Sequence, residues 1–152
     1  MIIISALSKN RFIGKGDGMP WQVPEEYEQF LRLVAGQAVI MGRRSFDIFG
    51  PDMLATQNFV VSRSAEDMSG ATVCGSIEEA VAKAEATGKT VFSAGGGSIY
   101  AQTLPLATGM YLSYIKGEFE GDTRFPEFDE SDWEIEKREN HADFEFVVYR
   151  RK

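Results

Sequence analysis

Cysteine is almost missing from this sequence: Cys74 is the only one in 152 residues. An internal disulfide is therefore excluded, and a reducing compartment, the cytoplasm, is expected. Cys74 sits in the run ATVCG, where a small buried hydrophobe is the ordinary reading and a nucleophile the rare one. Histidine is as scarce; His141 stands alone in a turn near the end of the sequence and is given no role. No apolar run approaches the ~20 residues that a membrane-spanning helix needs. The opening MIIISALSKN has no basic leader and turns polar too soon for a signal peptide. Positive charge is also short, 16 Lys and Arg against 23 Asp and Glu, for a formal net charge of −7. That balance argues against a general nucleic-acid surface but leaves room for a small anion at a local basic site. Repeats, low-complexity tracts and linkers are absent, so residues 1–152 read as one domain. No metal is expected.

What remains is an ordinary globular composition, 43% hydrophobic and 26% charged. Residues 1–7 form a continuous apolar run, the mark of a strand buried on both faces. The segment KNRFIGKGDGMPWQV (9–23), with Gly14, Gly16 and Gly18 at alternate positions, is too broken for an element and too long for a turn. It is expected to be a mobile functional loop. Pro24 starts a helix and Gly36 ends it. Tyr27, Phe30, Leu31 and Val34 mark its buried stripe, and Glu26 lies on the flank of that stripe, half in apolar surroundings. Strands follow at 37–42, 58–63, 71–74, 89–94, 110–115, 133–139 and 144–150, with a short helix over 43–49 between the first two. Ser76 and Glu79 form a capping box that opens the next helix. A further helix after the glycines ends near Pro105, and NHAD joins the last two strands in a hairpin. Strand–helix alternation closed by a hairpin predicts an α/β fold. Its sheet is mostly parallel and twisted, with helices on both faces and an antiparallel C-terminal hairpin at one edge.

Three constellations could carry chemistry. Gly95, Gly96 and Gly97, in SAGGGSIYAQ, come directly after a strand and before a helix. Three glycines are costly in regular structure, roughly 0.5–1 kcal/mol each relative to Ala. Either a close crossing of two segments or a ligand phosphate against bare N–H groups would account for them. The spacing is neither the dinucleotide fingerprint nor a Walker A loop. The second constellation is G-R-R-S (42–45), again at a strand end and helix start. Arginine there opposes the helix dipole, a small cost that makes sense if an anion shares the site. Arg63 stands at the end of the next strand between Ser62 and Ser64, and such Arg–Ser pairs suit a phosphomonoester and a pyrophosphate. The third is GMPWQVPEE (18–26), which joins a glycine loop, a Trp–Pro anchor and Glu26, a carboxylate with no Lys or Arg three or four residues on. Burial beside apolar groups raises a carboxylate's pKa, which is useful for exchanging protons with a heterocycle or hydrogen-bonding to it.

Together these motifs resemble those of bacterial dihydrofolate reductases, of the chromosomal or plasmid kind. The resemblance rests on the opening strand, IG…MPW (13–21), the acidic residue five positions after Trp21, VIMGRxSF (39–46), GGGSIY (95–100) and EGDTRFP (120–126). The motifs occur in order across nearly the whole chain. The resemblance implies transfer of a hydride from NADPH to C6 of a dihydropterin, with a proton added at N5. It implies that Glu26 is the ionisable residue of the pterin pocket, bonding the pterin's amino group and ring nitrogen. Met19 would close over the nicotinamide and Trp21 would order a water beside Glu26. Ile4 and Ala94 would present carbonyls to the pterin, Ser113 would bond Glu26, and Tyr27, Phe30 and Phe49 would complete the pocket. Arg43, Arg44, Ser62 and Arg63 would grip the cofactor's phosphates, with Arg44 and Arg63 near the 2′-phosphate. Ala6, Ile13, Gly14, Gly42, Ser45, Gly97, Ser98, Ile99 and Tyr100 would line the rest of that site, and Gly95–Gly96 would be a cis peptide. Asp122 would couple a neighbouring loop to the mobile loop. The partner implied is a small-molecule substrate, with no nucleic acid or membrane, and the chain is expected to be a monomer.

The pattern fails at one place. Where the family carries an arginine for the folate glutamate's α-carboxylate, this sequence has Thr56; where a lysine is common, it has Leu31; and Asp52 adds a negative charge nearby. Three readings stand at this point. One is a dihydrofolate reductase with weak tail binding, helped by Arg32. Another is an NADPH reductase of a tail-less dihydropterin or related heterocycle. The third is a non-enzymatic pterin- or nucleotide-binding module, against which the set of Glu26, Met19 and Trp21 argues.

Overall fold

The computed structural model describes residues 1–15, 18–64 and 67–152, so Gly16 lies outside the described residues. In chain order the strands are β1 (Ile2–Leu7), β2 (Phe12–Gly14), β3 (Ala38–Gly42), β4 (Gln57–Val61), β5 (Ala71–Cys74), β6 (Val91–Ser93), β7 (Gly109–Ile115), β8 (Thr123–Arg124), β9 (Trp133–Asn140) and β10 (Phe144–Arg151). The helices are α1 (Pro24–Val34), α2 (Arg43–Phe49), α3 (Ile77–Glu85) and α4 (Gly97–Thr103). Eight strands form one sheet in the order β5-β4-β3-β6-β1-β7-β10-β9. It is parallel from β5 to β7, and antiparallel where β10 meets β7 and β9.

Alternation along β3 shows why the central strands read as unbroken apolar runs. Ala38 and Ile40 pack with Ile77 of α3 and Ile99 of α4, while Val39 and Met41 pack on the other face with Val34 of α1 and Phe46 of α2. Both faces are thus covered, which only a strand apolar at every position can satisfy. The outer hairpin differs. Every residue of β9 after Trp133 is exposed or half-buried, and the run WEIEKREN is accordingly charged.

Local chemistry sets the element ends. α1 begins on Pro24 with no side-chain cap, whereas the Ser76 hydroxyl accepts the Glu79 N–H at 3.1 Å to start α3. The Glu79 carboxylate accepts from Gly75 N–H at 3.2 Å, one residue further out than a capping box predicts. Two expected strands are shorter. β4 stops at Val61, opposite Gly42, because there β3 turns into α2 and the ladder loses its partner. β6 covers only Val91–Ser93, since Gly95, at φ +94°, turns the chain away. The expectation of a structureless loop over 9–23 is also corrected, because β2 lies within it and pairs with β8. At Gly121 the two segments cross so closely that a Cβ would collide with the Gly14 carbonyl oxygen. Three residues with a glycine among them carry too little pattern to announce a strand.

Candidate active site

Beyond the carboxyl ends of the parallel strands runs a cleft of about 750 Å³. Its floor and one wall are strand ends running into helix starts: Ala6 near the end of β1, Gly42–Ser45 opening α2, Ser62 and Arg63 after β4, and Ala94 with Gly96–Tyr100 opening α4. The other wall is the β2–β8 ribbon, through Ile13, Gly14, Asp122 and Thr123. Open α/β sheets bind ligands at this edge. Neither α2 nor α4 has a side-chain hydrogen bond from its N-cap residue, Gly42 or Gly96, and both helix starts stand at the cleft with Arg43 and Arg44. Backbone N–H groups at the helix starts, the serines Ser45, Ser62 and Ser98 and three guanidiniums form a donor set suited to phosphate oxygens.

The glycines divide their work. The Gly95–Gly96 bond is cis. Gly95 does not line the cleft; its carbonyl accepts the Gly42 N–H at 2.9 Å, tying the start of α2 to that of α4. A Cβ on Gly95 would come to 2.9 Å from the Tyr100 ring and one on Gly97 to 2.8 Å from the Thr123 methyl, so both are close crossings, while Gly96 and Gly97 also face the cleft.

A side pocket of about 60 Å³ opens from the cleft, sharing Ser5, Ala6, Met19, Phe49, Ala94 and Tyr100 with it. Ile4, Met41 and Ala94 form its floor, and Glu26, Tyr27 and Phe30 of α1 face Phe49 of α2 across it. The structure corrects the expected position of Glu26. It is 7% exposed, more buried than Tyr27, Phe30 or Leu31, because α1 turns this side chain toward β7. Burial pushes its carboxyl from 4.5 up to about 7, and a hydrogen bond from Ser113, itself buried on β7, pulls the other way. Ile4's carbonyl is not left open to a ligand alone, since the Tyr100 hydroxyl donates to it at 2.7 Å. Trp21 and Ser113 stand behind the pocket rather than in its wall. The Trp21 indole is packed edge-on to Phe119, with centroids 5.8 Å apart, and its buried Nε1 has no partner among the described residues.

Asp122 meets the loop through its backbone, with its N–H donating to the Gly14 carbonyl at 2.8 Å. Thr56 is built into a turn: its hydroxyl bonds the Met53 carbonyl at 3.0 Å and the Asn58 side-chain oxygen at 2.6 Å. His141 bonds Glu25 at 2.9 Å, in the first turn of α1 beside Glu26, and stacks on Phe144. Sequence reasoning missed Ser5, Gly18, Met41, Ile48, Val61, Gln102, Thr123 and the stretch Gly75–Glu78 among the lining residues. The strand-end rule, applied to β5 and α3 as it was to β3 and β6, would have found Gly75–Glu78.

The model of the family described as dihydrofolate reductase matches residues 1–151 of this chain. The chain belongs to the dihydrofolate reductase family. Dihydrofolate reductase HdrB of Haloferax volcanii is 35% identical to it, covering 99% of this chain and 83% of that protein. The dihydrofolate reductase of Bacillus subtilis is 34% identical, over 98% of this chain and 93% of its own length. Among solved structures, the Enterococcus faecalis dihydrofolate reductase complexed with NADP(H) and RAB-propyl superposes with a TM-score of 0.89. It is 26% identical, over 99% of this chain and 95% of that one. The dihydrofolate reductase fold thus extends across both cavities. No helix among the described residues is long and apolar enough to cross a membrane.

Proposed function

We propose that this protein reduces 7,8-dihydrofolate to 5,6,7,8-tetrahydrofolate with NADPH, by hydride transfer to C6 and protonation at N5. One observation carries the reading: a single buried carboxylate, Glu26, in a side pocket that opens into a cleft whose donors suit phosphates. Arg43, Arg44, Ser62 and Arg63 would hold the cofactor's phosphates, Arg44 and Arg63 at the 2′-phosphate, and Gly96–Ser98 would present backbone N–H groups. When bound, NADPH supplies the hydride.

The protein's own work lies in the pocket. With its carboxyl near 7, Glu26 passes between charged and protonated forms around neutral pH, matched to proton exchange with a ring nitrogen. The charged form accepts from the pterin's amino group and ring N–H, and Ser113 fixes its orientation. Met19, which lines both cavities, closes the junction and excludes water, so every polar contact inside is strengthened. A buried indole N–H is normally satisfied; that of Trp21 is the donor to hold a water beside Glu26. Tyr27, Phe30 and Phe49 grip the ring faces, and Asp122 with Gly14 keeps the loop wall against the cofactor. We read residues 1–152 as one domain, since β1 near one end pairs with β6 and β7, working as a monomer in the cytoplasm on a small-molecule substrate. Neither nucleic acid nor membrane has a part in it.

A second reading is favoured by Thr56, whose hydroxyl is spent on its own turn and brings no positive charge to the substrate rim. It is reduction of a tail-less dihydropterin. The test is the loss of NADPH absorbance with dihydrofolate and with a tail-less dihydropterin. Oxidation with dihydrofolate that is lost in Glu26→Gln at pH 7 supports the first reading, and oxidation with the tail-less ring alone supports the second.

A further inference from the structure

The inner end of the side pocket is closed by Ile4, Met41 and Glu26, all buried, and its flank opens into the cofactor cleft. Its remaining rim is half-buried and aromatic: Tyr27 lies against Phe30, centroids 6.0 Å apart at 22°, and against Phe49, 6.0 Å apart at 42°. Phe30 belongs to α1 and Phe49 to the opposite wall, so Tyr27 spans the opening. Its hydroxyl donates to Asp52 Oδ2 at 2.6 Å, in the turn that follows α2 and 25 residues along the chain. Asp52 is exposed, and burial together with this carboxylate keeps the phenol firmly protonated, as a donor. Leu31, one turn along α1 from Tyr27, and Thr56, four residues beyond Asp52, are uncharged.

We propose that the Tyr27–Asp52 pair is a clasp across the substrate entrance that sets specificity by disfavouring an anionic extension of the bound ring. This rests on the functional reading above: with the ring against Glu26, anything attached to it must leave past Tyr27 and Phe49. A benzoylglutamate leaving that way passes the clasp and brings carboxylates to Asp52. A neutral, tail-less ring meets neither obstacle. The clasp thus gives the entrance a charge preference through repulsion, which discriminates as effectively as an attractive contact.

The test measures KM and kcat for dihydrofolate and for a tail-less dihydropterin, in wild type, Asp52→Asn and Tyr27→Phe, at low and high salt. Asp52→Asn should lower KM for dihydrofolate about fivefold, the size of one like-charge contact at a wet surface. Its kcat should stay within about twofold, because the tail is remote from the reacting carbon. KM for the tail-less ring should not follow. Salt should lower the wild-type KM for dihydrofolate, since screening weakens repulsion, and should leave that of Asp52→Asn flat. Tyr27→Phe, which opens the clasp but keeps the charge, should retain the salt dependence. Equal responses of both substrates, or no salt dependence in wild type, would overturn the clasp and leave the functional reading standing. Turnover of neither substrate by wild type would overturn both.

Discussion

Replacing Glu26 by Gln should slow the enzyme and stabilise it, and only above a certain pH. Its carboxyl rises from 4.5 to about 7 on folding, which corresponds to about 3 kcal/mol of penalty against the charged form. The sign follows from proton binding. Between 4.5 and about 7 the folded state holds the proton more tightly than the unfolded chain, so wild-type stability falls as pH rises through that window. Below it the penalty is absent, and above it the penalty is fully present. Glutamine never ionises, so the variant escapes the loss, less about 1 kcal/mol for an altered bond to Ser113. The expected result is a variant slightly less stable than wild type at pH 4.5, by up to about 1 kcal/mol, and more stable by roughly 2 kcal/mol at pH 8.5. Urea denaturation midpoints at several pH values, with unchanged slopes, would measure it. In the same samples hydride transfer at pH 7 should drop by an amount typical of a lost electrostatic contact, ~3–4 kcal/mol, and recover in part at low pH, where solvent protonates N5. A stability difference that stays constant with pH would refute the assignment of a strained, buried carboxylate, whatever happened to the rate.

Replacing Arg44 and Arg63 together by Ala should weaken NADPH far more than NADH, by ~1.5–3 kcal/mol per lost phosphate bond, measured as the ratio of the two KM values. Equal weakening would move both side chains off the 2′-phosphate. Thr56→Arg should tighten dihydrofolate by roughly 5–30-fold in KM, from a partly exposed Arg–carboxylate bond of ~1–2 kcal/mol, and leave a tail-less ring unaffected. Asp52 would compete for the new guanidinium, so the double change with Asp52→Ala should do better. If removing the glutamate from the substrate already costs wild type its affinity, another residue, Arg32, holds the tail. Gly121→Ala places a methyl against the Gly14 carbonyl, a backbone group that cannot swing aside, so the β2–β8 pairing must loosen. A loss of ~1–3 kcal/mol in thermal or urea stability should come with a raised KM for NADPH, because Ile13 and Gly14 line its cleft.

Most of the sheet could be read from the chain because burial on both faces leaves its signature in every residue. Ala38–Gly42 and Ile2–Leu7 have no polar position but Ser5, and the structure uses both faces of each. Boundaries were less legible where tertiary partners decide them. Val61 ends β4 only because its neighbour β3 turns into a helix there, which nothing within 57–63 announces. Glu26 stands out in the sequence but its depth does not: helical periodicity puts apolar residues inward by default, and a carboxylate turned inward breaks that rule for a chemical reason. The same holds for Tyr27, whose ring suggested core and whose hydroxyl reaches Asp52 instead. Gly75–Glu78 is hard to read as lining because Ser76 has an adequate local explanation as the cap of α3.

The outer hairpin has a bearing on how the chain is made. Until β10 exists, β7 presents an open edge of apolar strand, and Ile115 and Trp21 lack the Phe144 and Phe146 rings that cover them. During synthesis the strand bearing Ser113 is therefore the sticky margin of an incomplete sheet, open to pairing with another nascent chain. Docking of β10 transfers that margin to β9, whose exposed glutamates, lysine and arginine make it a poorer template for pairing. Among the described residues the hairpin lines neither cavity, yet it covers the open edge of the half-made sheet that holds them.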